Sequence, residues 1–170
     1  MRGGGVVLLI ALGCSSTFVP KGSGNIRNVA PPGFAPKGAI SFVNAQPSTQ
    51  DFQIGKTGSF EPVYTNLHQW TDVAIHYAQD LVKPSPGIVK SISMRVVGAK
   101  QREAQAAGIV IVSRASCEVD LEVATASGYQ RAFHAESKAV LDSDSACEDA
   151  TRDVTAQVFQ DFQVLKYLSE

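Results

Sequence analysis

The fold is decided by the stretch that runs from Gly108 to Thr125, GIVIVSRASCEVDLEVAT. From residue 109 onward, its odd positions carry apolar or small side chains such as Leu121, and most of its even positions carry polar ones such as Glu122. Successive side chains of a β-strand point to opposite faces, so this period of two predicts a strand with one buried and one solvated face. We therefore place the core of the protein against this strand.

A second alternating stretch follows at residues 129–138, with Phe133 on one predicted face and His134 on the other. A Ser-Gly turn signal separates the two stretches, so together they predict a long antiparallel hairpin. Both strands are predicted to be buried at odd positions, which requires a loop with an odd number of residues. Residues 126–128, with Gly128 in the left-handed conformation, would satisfy that requirement.

The remaining patterns predict an α+β domain. Two amphipathic helices pack on one face of a mostly antiparallel four-stranded sheet, with an added small hairpin. The first predicted elements are a strand at 39–45, the hairpin at 46–64, and a helix that is capped by Thr65 or Asn66 and ends near Val82. A strand at 88–98, a polar connection at 100–107 and the central hairpin follow. One last helix comes after the cap candidates at 142–145 and carries Cys147, Val158 and Phe162 on its apolar stripe.

Composition disfavours several classes of function. The chain has 15 Lys and Arg against 16 Asp and Glu, a formal net charge of -1, and no basic stripe, so we expect no nucleic-acid partner. No Cys-x-x-Cys or His-x-x-x-His spacing occurs, and His68 and His76 are too far apart on the predicted helix to share an ion comfortably. We therefore expect neither a metal site nor a cofactor.

The N-terminus predicts export. Positive charge at Met1-Arg2 precedes an unbroken apolar run at residues 6–12, which is too short to span a membrane. We interpret residues 1–13 as a signal peptide, residues 14–38 as an extended Pro- and Gly-rich tether, and residues 39–170 as a single periplasmic domain. The alternatives are an ordinary secretory signal or an apolar terminus without a targeting role. Phe18 and Phe34 either dock on the domain or on a partner, or stay unpacked.

The residues from Leu9 to Cys14 resemble the lipobox of bacterial lipoproteins. The resemblance implies that Cys14 is the lipid attachment site, carrying acyl chains such as palmitate as the mature N-terminus, and so ties the protein to a membrane. In such lipoproteins, a residue other than aspartate directly after the lipidated cysteine usually directs the protein to the outer membrane. The resemblance therefore implies, through Ser15, an outer-membrane location. The order of elements resembles the small outer-membrane lipoproteins of the YajG type and the lipopolysaccharide-assembly lipoprotein. Those families are non-enzymatic, which implies a binding or assembly component of a larger envelope complex.

Cys117 and Cys147 both fall on predicted apolar faces. In an exported protein a disulfide between them is permitted. The alternative is two separate buried thiols, because a free cysteine packs well as a small hydrophobic residue. The sequence leaves both open, since it does not fix the distance between the two Cα atoms.

Three functions are consistent with these patterns. The first is a non-enzymatic lipoprotein that binds a protein partner through the exposed sheet edge or the 46–64 hairpin. The second is a carrier of an apolar small molecule or lipid. The third is an envelope hydrolase, for which the acid and base candidates would lie together on the solvated face of the sheet. We expect no catalytic residues there. The sequence does not indicate the oligomeric state. Those candidates are Glu118, Asp120, Glu122, His134 and Glu136.

Overall fold

The computed structural model describes residues 16–18, 20–22, 36–56, 62–82, 86–104, 114–140 and 143–170. Strands and helices follow one another along these residues in an order close to the predicted one. The elements are β1 (Ser16–Thr17), β2 (Ile40–Asn44), β3 (Asp51–Lys56), β4 (Pro62–Asn66), α1 (Leu67–Leu81), β5 (Lys90–Ala104), β6 (Arg114–Thr125), β7 (Gln130–Val140), α2 (Ser143–Val158) and α3 (Phe162–Ser169).

The larger sheet has four strands in the order β2-β5-β6-β7. β5, β6 and β7 are antiparallel neighbours, whereas β2 runs parallel to β5. A parallel pair needs a long connection, and here β3, β4 and α1 supply it. The predicted α+β fold with a mostly antiparallel four-stranded sheet is confirmed.

The buried face of the sheet is the predicted one. Val119, Leu121 and Val123 of β6 are fully buried, and Leu121 lies opposite the buried Phe133 of β7. Residues 108–113 of the predicted strand lie outside the described residues. At the hairpin, the amide of Thr125 donates to the carbonyl of Tyr129 at 2.9 Å, so residues 126–128 form the predicted loop. Gly128 has φ 88°, the left-handed conformation that glycine adopts without steric cost.

β5 is longer than predicted. Residues 100–104 were expected to be a polar connection, and that prediction is wrong, because these residues pair with the first half of β6. Lys100 lies opposite Glu118, and the Arg102 guanidinium bonds Glu118 at 2.7 Å. The strand continues here because a partner strand holds it, not because its own pattern is apolar.

A bulge between Val96 and Gly98 changes which residues of β5 face the core. Val96 is buried before it and Ala99 after it, while Val97 is exposed. The bulge lies beyond the end of β2, so the backbone groups of Val96 need other partners. The hydroxyl of Thr71 accepts from its amide at 2.9 Å, and the side chain of Gln46 donates to its carbonyl at 2.7 Å.

The helices α1 and α2 cover the buried face. α1 begins at the predicted cap, since the Asn66 side chain accepts hydrogen bonds from the amides of His68 and Gln69. Trp70 of α1 is fully buried, and its indole N–H donates to the Thr151 hydroxyl of α2 at 2.7 Å. A buried indole needs such a partner, so this bond fixes the two helices relative to each other.

The last helix is broken, and the prediction of one continuous helix is wrong. α2 ends at Val158, and α3 starts after the turn that Asp161 caps. Phe159 in the turn is fully buried and contacts Phe42 edge-on, with ring centres 6.2 Å apart. Phe162 was expected on the apolar stripe, but its side chain is 72% exposed because the break rotates it away from the sheet.

The smaller sheet contains the predicted hairpin of β3 and β4, with β1 added parallel to β4. β1 falls inside the segment that was expected to be a tether. Phe18 is 8% exposed, and its ring meets that of Trp70 edge-on at 5.6 Å between centres. The tether prediction is therefore wrong for residues 16–18, which belong to the folded domain. Phe34 lies outside the described residues.

Candidate functional site

The two core cysteines form a disulfide. Cys117 of β6 and Cys147 of α2 are fully buried, with their Cα atoms 4.9 Å apart and their sulfurs bonded. Of the two possibilities that the sequence left open, the structure contains the bridge. It closes a separation of 30 residues and pins the start of α2 to the centre of the sheet.

The proposed lipid attachment site, Cys14, and the predicted signal peptide at 1–13 lie outside the described residues. The described chain begins at Ser16, which already pairs with Val63 of β4. None of the helices in the described residues is long and apolar enough to cross a membrane.

The solvated face of the sheet brings each of the predicted acid and base candidates close to a polar or charged partner. Glu122 bonds the Arg95 guanidinium at 2.6 Å, and Glu118 bonds that of Arg102 at 2.7 Å. The Nδ1 atom of His134 lies 2.8 Å from a carboxylate oxygen of Asp120, and Glu136 lies 3.6 Å from Lys138. The first three of these pairs join neighbouring strands, whereas Glu136 and Lys138 both lie on β7, and opposite charges placed across neighbouring strands stabilise a sheet weakly.

His134 and Asp120 are arranged like two of the three members of a hydrolase triad, but in an exposed setting, with side chains 56% and 51% exposed. A triad also needs a nucleophile within hydrogen-bonding distance of the histidine. Two serines of the solvated face, Ser93 of β5 and Ser116 of β6 itself, lie opposite Ala124 and Lys138. Each is thus four residues along the sheet from Asp120, about 13 Å away. The described residues bring no serine to this pair.

β7 forms one edge of the larger sheet, and β2 forms the other. Hydrogen-bonded pairs alternate along an antiparallel ladder, and Thr125 with Tyr129 is one of them. Even-numbered residues of β7, such as Ala132, therefore direct their backbone groups away from β6. The carbonyl of His134 agrees with this, because it accepts a hydrogen bond at 3.0 Å from the side chain of Gln157, which comes from the opposite side.

A groove of about 350 Å³ lies where β7 begins, next to the break between α2 and α3. We name it the corner groove. Its wall is formed by the first residues of β7 and by the start of α3. The groove therefore adjoins the outward-facing backbone of β7. Among its lining residues are Tyr129, Arg131, Phe133, Gln157, Asp161 and Phe162.

Asp161 organises the corner groove. Its carboxylate, 4% exposed, accepts from the amides of Gln163 and Val164 at 2.9 and 3.0 Å and from the Arg131 guanidinium at 2.5 Å. Burial by itself would raise the pKa of this carboxyl. Hydrogen bonds from the Val164 amide, the Tyr129 hydroxyl and Arg131 outweigh it, so the pKa of Asp161 lies below its usual range.

The groove offers a cation and an aromatic ring to solvent. The side chain of Arg131 is 58% exposed, and Asp161 and the ring of Phe133, 5.3 Å away, fix its position. A guanidinium has five N–H donors, so donors remain for a carboxylate or carbonyl of a bound chain. The exposed ring of Phe162 can pack against an apolar side chain. Together these groups suit a peptide better than a small apolar ligand.

Sequence reasoning missed Arg131, Asp161 and Phe162. The signal that could have found them is Asp161 itself, a good N-cap residue inside an apolar helical pattern, which favours a new helix start. No cluster of three or more His, Cys, Asp or Glu side chains that could hold a metal ion occurs within the described ranges.

Comparisons with known proteins add little to these observations. No protein-family model matches the chain, and no curated protein matches it. A solved chain from Caulobacter crescentus CB15, described provisionally as a lipoprotein, is similar to this one with 12% sequence identity and a TM-score of 0.36. The match covers 76% of this chain and 89% of that chain. At this level the likeness carries no argument, so the fold and the groove stand on the residues described above.

Proposed function

We propose that the protein is a lipid-anchored lipoprotein on the periplasmic face of the outer membrane, whose domain binds another envelope protein and catalyses no reaction. The anchor is proposed from the apolar run at 6–12 and from Cys14, which resemble a leader and its lipobox. The disulfide between Cys117 and Cys147 supports export, because disulfides persist in oxidising compartments and are rare in the cytosol.

The observation that carries the binding proposal is the open edge of β7 next to the corner groove. An edge strand presents unpaired N–H and C=O groups to which an extended segment of another protein can add as a further strand. The side chain of Gln157 already donates a hydrogen bond to the carbonyl of His134. An added strand would therefore pair with the residues of β7 that come before His134. That part of β7 ends in the corner groove.

The partner is therefore expected to offer an extended segment whose side chains reach into the groove. A carboxylate or a backbone carbonyl would meet the free donors of Arg131, and an apolar side chain would cover Phe162. Aromatic and arginine side chains contribute most strongly to protein interfaces when they become buried. An interface centred on these two residues thus has the composition that binding surfaces favour.

The anchor is tested by replacing Cys14. In cells that express Cys14→Ser, we expect the protein to leave the membrane fraction and to lose the mass of its acyl chains. Ser15→Ala is the matched control, because it changes the neighbouring residue and keeps the cysteine. A Cys14→Ser protein that still fractionates with membranes and keeps its lipid label would contradict the anchor.

The binding edge is tested at Ala132, whose N–H points away from β6. Proline on an edge strand removes that donor without breaking the ladder, whereas Ala132→Val keeps it and is well tolerated in strands. We expect crosslinking in intact envelopes to join the Ala132→Val protein to a partner, and Ala132→Pro to abolish the adduct while the melting temperature stays close to that of the parent. An equal yield of the adduct from both variants would remove the edge from the proposal.

A further inference from the structure

We infer that the lipid on Cys14 holds one particular end of the domain against the bilayer, so that phospholipid headgroups meet the strand ends Lys56, Pro62 and Ser16. We name these residues and Lys100 the anchor end. The inference rests on the proposed lipid attachment at Cys14, and it adds which surface meets the lipid and which surface faces the periplasm.

The chain is fixed to the domain almost immediately after Cys14. Ser16 and Thr17 pair with Val63 and Tyr64, and the amide of Phe18 donates to the Tyr64 carbonyl at 2.8 Å. The buried ring of Phe18 packs against Trp70, so β1 is held by a side chain as well as by backbone bonds. Only residue 15 therefore separates Cys14, the proposed attachment point, from the first residue of β1.

The length of that connection limits how far the domain can stand from the lipid. Two residues span at most about 7 Å between Cα atoms when fully extended. Whichever way residue 15 turns, Cys14 lies within that distance of Ser16. In the register of the small sheet, Ser16 lies beside Val63, and Val63 lies opposite Gly55 of β3. The last residues of β3 therefore lie close to the attachment point.

The small sheet in turn places the far half of β5 at the same end. Gly55 touches β5 so closely that a Cβ on it would stand 2.5 Å from the backbone carbonyl oxygen of Gln101. Only glycine permits this approach. Lys100 precedes Gln101 in β5, so it lies at the same end of the molecule, with its side chain exposed on the solvated face of the larger sheet.

The charge of the anchor end suits phospholipid headgroups. Lys56 and Lys100 are exposed, and neither takes part in an ion pair among the described residues. Arg102 next to them is neutralised by Glu118. A lysine close to an anionic membrane surface is attracted to it. The two lysines thus favour the orientation that the short connection to Cys14 already imposes.

The corner groove lies at the opposite end of the sheet. Gln101 follows Ile92 by nine positions in β5, a distance of about 30 Å along the strand. Ile92 lies opposite Thr125, and the turn that follows leads to Tyr129 in the wall of the groove. An anchored domain therefore presents the groove to the periplasm, where a partner can reach it.

The orientation is tested on acylated full-length protein in vesicles of phosphatidylethanolamine and phosphatidylglycerol, using an amine-acetylating reagent read by mass spectrometry. Lys56 and Lys100 are compared with Lys166 of α3, which lies at the groove end and is 56% exposed. Relative to soluble Cys14→Ser protein, we expect labelling of Lys56 and Lys100 to fall severalfold and that of Lys166 to be unchanged. Equal labelling of all three on vesicles overturns the orientation.

A second variant separates geometry from simple membrane binding. Inserting about ten Gly and Ser residues between residues 15 and 16 adds roughly 18 Å of flexible reach, and we expect it to restore labelling of Lys56 while the protein stays on the vesicles. The same insertion after residue 28 leaves β1 connected to Cys14 as before and should keep Lys56 protected. Protection that survives both insertions overturns the inference. Failure of the proposed anchor looks different, because the parent protein would then lack acyl mass and would not float with the vesicles.

Discussion

The inner and outer faces of β6 are built by alternate residues of one strand, yet different forces hold them. The inner residues are fully buried at Val119 and Leu121 and include a cysteine that is covalently joined to α2. The outer residues, such as Glu122, stay partly exposed and pair with charges on neighbouring strands. Buried apolar area stabilises a fold strongly, whereas exposed ion pairs contribute little. The inner face therefore carries the stability, and the outer face can change at small cost.

The disulfide should give the largest effect. A bridge that closes 30 residues stabilises the folded state by about 3.6 kcal/mol in the chain-entropy model. We expect Cys117→Ala with Cys147→Ala to lower the free energy of unfolding by that amount in urea denaturation monitored by circular dichroism. Each single variant should lose nearly as much, because either one opens the bridge. A double variant with an unchanged urea midpoint would show that the inner face does not depend on the bond.

Neighbouring residues on β6 make the comparison directly. Leu121→Ala removes a fully buried side chain, and we expect it to lower the free energy of unfolding by about 3 kcal/mol. Glu122→Ala, one residue away on the other face, should change it by less than about 1 kcal/mol. Urea denaturation of both proteins measures the difference. Equal losses would mean that the two faces contribute alike.

Asp161 sharpens the comparison, because it is a polar residue in a buried position. Asp161→Ala loses the α3 cap and should lower stability by about 1 to 2 kcal/mol. Asp161→Asn keeps a good cap and loses only the charge, so it should lower stability less. Asp80→Asn, at an exposed position on α1, is the matched control and should have no measurable effect.

The pH dependence of Asp161 follows from its lowered pKa. A carboxyl with a lowered folded-state pKa contributes stability that is fully present above the unfolded value of about 3.9 and is lost as pH falls through the folded value. The difference in melting temperature between parent and Asp161→Asn should therefore be constant near neutral pH and shrink below about pH 4. A difference that stays constant to pH 2 would show that the carboxylate charge does not stabilise the fold.

The same contrast explains how much of the fold the sequence predicts. The inner face of β6 and β7 is predictable because a period of two has a single interpretation once one face must be buried. β1 is not, because two residues carry no pattern and become a strand only through their bonds to β4. Residues 100–104 are not predictable for the same reason. Their sequence is polar, and they form a strand only through their pairing with β6.

The candidate site is harder to predict than the fold. Arg131, Asp161 and Phe162 come from a strand and from the helix break 30 residues later, and only the packed structure brings them together. Local sequence signals report on neighbours in the chain, so a groove between distant segments has no local signature. The cysteines are an intermediate case: the faces on which they lie were predictable, and their separation was not.

The smallest effect is expected on the outer face. Arg95 and Glu122 bond at 2.6 Å with side chains 43% and 26% exposed, so solvent and salt screen their attraction. A double-mutant cycle with Arg95→Ala and Glu122→Ala should give a coupling of less than about 1 kcal/mol that falls further as salt is added. The cycle for Arg131 and Asp161 is the internal comparison and should give the larger coupling, since one partner is only 4% exposed. A coupling above about 2 kcal/mol for the outer pair would place it among buried pairs and remove the distinction between the two faces. If the coupling is small, substitutions on the outer face can be used to alter partner binding at the β7 edge without unfolding the domain that presents it.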